Sequence, residues 1–62
     1  MIKPRDLVRT PSGRTAKVIE VLPGGRRLLE YIDDHEGVEL HESLLYVVQA
    51  APVLGFKAGG TR

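Results

Sequence analysis

Turn signals, more than any periodic stretch, set the limits on what this sequence can fold into. Pro11-Ser12-Gly13, Pro23-Gly24-Gly25 and the polar run Asp33-Asp34-His35-Glu36-Gly37 cut the chain into short segments, each closed by residues that favour turns. No apolar stripe with the helical period of about 3.6 residues persists for the roughly ten residues a helix needs. What remains between the turns alternates or nearly alternates. An all-β domain is therefore expected.

The segments can be placed one by one. Asp6-Leu7-Val8-Arg9-Thr10 is a short β-rich run. Arg14 to Leu22 follows, with Ala16 and Val18 on one face and Thr15 and Lys17 on the other. Its alternation slips at Ile19-Glu20, which predicts a bulge that bends the strand. Pro23-Gly24-Gly25 predicts a hairpin with Gly25 at positive φ. Arg26 to Asp33 places Leu29 and Tyr31 on one face. Val38 and Leu40 point inward from a short alternating run that ends at His41. His41-Glu42-Ser43-Leu44 suits a single 3₁₀ turn, and Leu45-Tyr46-Val47-Val48 a last strand. The expected core is Leu7, Val8, Ala16, Val18, Val21, Leu29, Tyr31, Val38, Leu40, Leu44 and Val47. After Gln49 the period disappears, and proline with three glycines predicts a flexible tail over residues 50–62.

At 62 residues there is room for one domain, with residues 1–49 forming it. Chains this short bury only roughly 60% of their unfolded surface and often need a staple. The absence of cysteine removes a disulfide from the options, so a tight meander or a partner chain has to supply the stability. No apolar run approaches the roughly 18 residues of a membrane span, and a cytoplasmic location is expected by default.

The net charge is only +1, but it is unevenly laid out. Residues 1–27 hold seven Lys or Arg against two acids, while residues 28–49 hold six acids and no Lys or Arg. A strand meander can bring two such halves side by side, so that cross-strand pairs cancel the field. Alternatively, Arg9, Arg14, Lys17, Arg26 and Arg27 form a basic surface for the phosphates of a nucleic acid. With only Tyr31, Tyr46 and Phe56 as aromatics and so little base stacking to offer, such binding would be weak, salt-sensitive and poor in specificity.

The order of strand, turn, bent strand, glycine hairpin, bent strand, turn, strand, 3₁₀ turn and short strand resembles the Src-homology-3-like barrels. Within them it looks most like the small bacterial members and the KOW and Tudor-like modules. The resemblance rests on Asp6-Leu7-Val8, Gly13 with Ala16 and Val18, Leu29 with Tyr31 and Asp33, and Ser43-Leu44-Leu45 before a valine pair. It implies a single five-stranded barrel. Tryptophan is absent and aromatics are few, which argues against proline-rich peptide recognition and against an aromatic cage for a methylated cation.

Catalytic signatures are missing. There is no cysteine nucleophile, no G-x-S-x-G and no phosphate loop, and no helix follows Gly24-Gly25 to cradle an anion. The cluster Asp33-Asp34-His35-Glu36 with Glu39 and His41 offers ligand chemistry, but its spacing matches no calcium loop. Neither a metal nor a cofactor is expected. The expected function is a non-catalytic binding module for a protein partner or for self-association, with nucleic acid as the alternative.

Overall fold

The computed structural model describes residues 2–51. The chain is all-β, with strands β1 (Leu7–Arg9), β2 (Thr15–Leu22), β3 (Arg26–Tyr31), β4 (Gly37–His41) and β5 (Tyr46–Gln49). All neighbours run antiparallel in one sheet of order β4-β3-β2-β1-β5. The expected all-β class is found. Closure into a barrel is not, because β4 and β5 stand at opposite edges of the sheet.

Local chemistry explains each turn. Lys3-Pro4-Arg5-Asp6 is closed by the Asp6 amide donating to the Lys3 carbonyl at 3.1 Å, with Arg5 at φ 75°. Proline at the second position and a left-handed third residue are the pattern of a type II turn. Between β2 and β3, Gly24 and Gly25 both take φ 76°, so the positive φ expected for Gly25 is present. A single 3₁₀ turn, Glu42–Leu44, precedes β5 as expected. It is capped by His41, whose Nδ1 accepts from the Ser43 amide at 3.1 Å. With that lone pair used as an acceptor, the Ser43 hydroxyl, 2.8 Å from the same nitrogen, donates to it as well.

The predicted bulge is at Ile19. Val18 pairs with Leu29 and Glu20 with Leu28, which leaves Ile19 as the extra residue. The buried core is Ile2, Val8, Ala16, Val18 and Leu29, with Tyr31, Val38, Leu40 and Leu45 packed around it. Leu7 is half-buried.

Three expected core residues, Val21, Leu44 and Val47, are exposed instead. Val21 lies beyond the bulge and faces Arg27, not an apolar partner, across the strand pair. The 3₁₀ turn leaves Leu44 outside and hands the inward place to Leu45. Val47 lies opposite Val8 but on an edge strand, with no described residue paired on its far side. In their stead Ile2 enters the core, because the Lys3–Asp6 turn folds the N-terminal segment back over it. Most of the tail expected at 50–62 falls on residues 52–62, outside the described residues. Ala51, within them, is held by its amide donating to Asp6 Oδ1 at 2.7 Å.

Candidate functional site

The five cations expected to share one surface occupy different environments. Arg27 is the extreme case. Alternation along β3 places it on the inward face with Leu29 and Tyr31, and it is 2% exposed. A cation there must be paired and hydrogen-bonded, and each of its three nitrogens donates. Its Nε donates to the Ile2 carbonyl at 2.9 Å, Nη1 to the Arg26 carbonyl at 3.0 Å and Nη2 to Glu42 Oε1 at 3.0 Å. Arg27 thereby ties together the N-terminal segment, β3 and the 3₁₀ turn. The expectation that it faces solvent is corrected: strand parity, not charge, fixes where the side chain points.

Arg14 remains on the surface but is neutralised. Its Nη2 donates to Asp33 Oδ1 and to Asp34 Oδ2, each at 2.8 Å. The guanidinium also stacks 3.8 Å above the centre of the Tyr31 ring. Its hydrogen bonds to Asp33 and then to Asp34 hold Arg14 protonated well above the ordinary arginine range, while Arg14 holds the Asp33 carboxyl below its usual value. Arg26 pairs with Glu39 across the β3–β4 boundary. Arg9 donates to the Gly13 carbonyl at 3.2 Å and closes the first turn. Lys17 is exposed beside Glu30 on the outer face.

The two oppositely charged halves of the sequence are thus folded onto each other. Arg14, Arg26 and Arg27 each meet a carboxylate from residues 33–42, as the cross-strand alternative requires.

Next to Tyr31 lies an open cavity of about 230 Å³ lined by Lys17, Glu30, Tyr31, Ile32 and His35. It falls below the roughly 300–1,000 Å³ of ordinary ligand sites. His35 and Glu30 are already joined at 3.1 Å. Among the described residues no group of three or more His, Cys, Asp or Glu could hold a metal ion, and no helix is long and apolar enough to cross a membrane.

The free edge of β5 differs from everything above. Tyr46, Val47 and Val48 are 72%, 39% and 46% exposed, and Gln49 is exposed as well. Among the described residues the strand hydrogen-bonds to β1 on one side only. Sequence reasoning counted Val47 into the core and overlooked the edge, because the pairing order of strands is not a local property.

Asp6 fixes the course of the chain beyond this strand. Its carboxylate, 1% exposed, accepts from the Lys3 amide and the Lys3 ammonium, each at 3.0 Å, and from the Ala51 amide. Burial pushes the Asp6 carboxyl upward, but the Ala51 and Lys3 hydrogen bonds outweigh it and hold the group below its ordinary value. The segment after β5 is thereby fastened to the residues that precede β1.

Comparison with known proteins gives no matching family model, no matching curated protein and no matching solved structure.

Proposed function

We propose that the chain is a non-catalytic binding module that engages another protein chain through the free edge of its sheet at β5. The observation that carries this is an edge strand whose four residues are all exposed, with three large apolar side chains and no formal charge. Natural sheets blunt their edges with charge, proline or a covering element, because an open edge is a template for a further strand. The opposite edge follows that rule, with Glu39 and His41 on β4. An edge left apolar and open is the kind of surface that strand addition uses, where main-chain bonds give affinity and side chains give selectivity.

The small cavity, whose His and Glu already satisfy each other, supports a binding role over a catalytic one. Five short antiparallel strands with a 3₁₀ turn before the last support an Src-homology-3-like architecture, and curling of β4 towards β5 would complete its barrel.

A photoreactive phenylalanine analogue placed at position 46 tests the proposal, with position 36 in the turn before β4 as the control. Protein adducts at 46 and none at 36 are expected. Adducts at neither position would overturn it.

Nucleic-acid binding stands second, on one observation. Arg9, Lys17 and Tyr46 share the outer face, since Arg9 lies opposite both Thr15 and Tyr46 in the sheet. Two cations and one ring would give weak, salt-sensitive binding to a single strand. Retention on mixed single-stranded nucleic acid at low salt, lost in Arg9→Glu with Lys17→Glu, is the expected signature. No retention at low salt would remove this alternative.

A further inference from the structure

We infer that the partner at the β5 edge is a second copy of the same chain, paired antiparallel across a two-fold axis normal to the sheet; this rests on the edge function proposed above. Charge is the first support. A two-fold contact sets every residue near its own counterpart, so a charge close to the axis meets itself. Arg9 on β1, Lys17 and Glu20 on β2, Arg26, Arg27 and Glu30 on β3, and Glu39 on β4 put formal charge on every other strand. β5 carries none, which self-pairing requires and a charged partner would not.

Register is the second support. Across such an axis, directly opposed residues point to the same face of the joined sheet, and Val47, which precedes the irregularity at Val48, can face its own copy. Centring the axis on Val47 sets Val47 against the partner's Val47 and Tyr46 against the partner's Val48. Tyrosine against valine is an aromatic–β-branched pair of the kind that stabilises antiparallel strands. Val47 lies opposite the buried Val8, hence on the core side, so the Val47 pair joins the two cores.

The third support is the exit of the chain. The bond from the Ala51 amide to Asp6 carries the backbone towards the start of β1, away from the free side of β5. As far as Ala51, the last described residue, the chain does not turn back along that side.

The contact is short, since pairing of β5 with β1 is irregular between Val47 and Gln49. Short, small-area contacts belong to the weak, reversible class.

The 62-residue chain tests this. Sedimentation from about 10 µM to about 1 mM should show a reversible monomer–dimer equilibrium, a range chosen for contacts of this class. Val47→Lys and Val47→Glu should each weaken the dimer at least about tenfold, because like charges then face each other across the axis. An equimolar mixture of the two should restore it. In the wild type, amide exchange of residues 46–49 should slow as concentration rises.

A monomer at every concentration with fast exchange at these amides would overturn self-pairing. If position 46 still yields adducts with other proteins, the edge function survives that result, and if it yields none, both fail. A monomer whose amides are slow at every concentration would show the chain's own remaining residues on the edge, which also overturns the second copy. A dimer indifferent to both Val47 variants would overturn it too, since its contact would lie elsewhere.

Discussion

The two edges of this sheet are held in opposite ways. At β4, side chains do the anchoring. Arg27 stands opposite Leu40 and reaches Glu42 just past the strand, Arg26 pairs with Glu39, and His41 caps the following turn. At β5 the main chain does it, through pairing with β1 and one amide donated to Asp6. One edge is fastened by long polar side chains that also discourage a neighbour. Among the described residues the other keeps its outer side free, and that freedom is what the proposed binding edge needs. Stability is concentrated on one side of the sheet and accessibility on the other.

Arg27→Met gives the largest blow to the anchored edge. The Ile2 carbonyl loses its donor, and the N-terminal segment and the 3₁₀ turn lose their common partner. Breaking a fully buried pair costs several kcal/mol, but water reaches Glu42, so the expected loss is about 2–3 kcal/mol. Urea unfolding measures it. A loss below about 0.5 kcal/mol, the range of ordinary surface changes, would mean the guanidinium does not organise this end of the core.

Gly25→Val strikes the same edge from the turn before β3. At φ 76° a β-branched side chain is strained, and its Cβ would come within 2.8 Å of His41 Nε2. Moving the imidazole away would disturb its hold on Ser43. A cost of about 1–2 kcal/mol is expected by thermal or urea unfolding. Unchanged stability would show that the cap adds nothing to the edge.

Asp6→Asn probes the other side. The Lys3 ammonium and the Ala51 amide lose a charged acceptor, at an expected cost of about 1–2 kcal/mol. The folded carboxyl titrates below its unfolded value of about 4, so its contribution is complete above that pH and is lost as pH falls through the lower folded value. The wild type should therefore weaken on acidification below about pH 4. The Asn variant should be less stable at neutral pH and flatter on the acid side. Parallel acid profiles for the two proteins would exclude Asp6 as the group responsible.

The smallest effects sharpen the contrast. Arg26→Ala removes a surface pair at β4 and should cost at most about 1 kcal/mol, fading as salt is added. Val48→Lys alters only exposed surface on β5 and should leave monomer stability within about 0.5 kcal/mol. A large loss for Val48→Lys would place that side chain in a packed interior and abolish the difference between the edges.

Much of this was legible along the chain. The Pro-Gly turns, the slip at Ile19, the inward pair Val38 and Leu40 and the 3₁₀ turn before β5 all follow from neighbouring residues. Arg27 was legible in principle, because it sits two residues before Leu29 on a strand whose parity was already assigned. Its charge argued for solvent and its parity for the interior. Parity prevailed because the buried Ile2 carbonyl and the half-exposed Glu42 carboxylate lie within reach of the guanidinium. The core place of Ile2 and the exposure of Val21, Leu44 and Val47 had no comparable local signal.

The sequence by itself determined that the chain makes short strands, where they turn and which side chains alternate. These depend on backbone sterics and on residues a few positions apart. Only the tertiary structure decided which carboxylate each arginine meets, which residues close the core and which strand is left at an edge. Those outcomes come from pairing across the sheet, between positions such as Arg14 and Asp33 or Asp6 and Ala51. Pairing of that kind is fixed by the combined burial of all strands, and no single segment carries it.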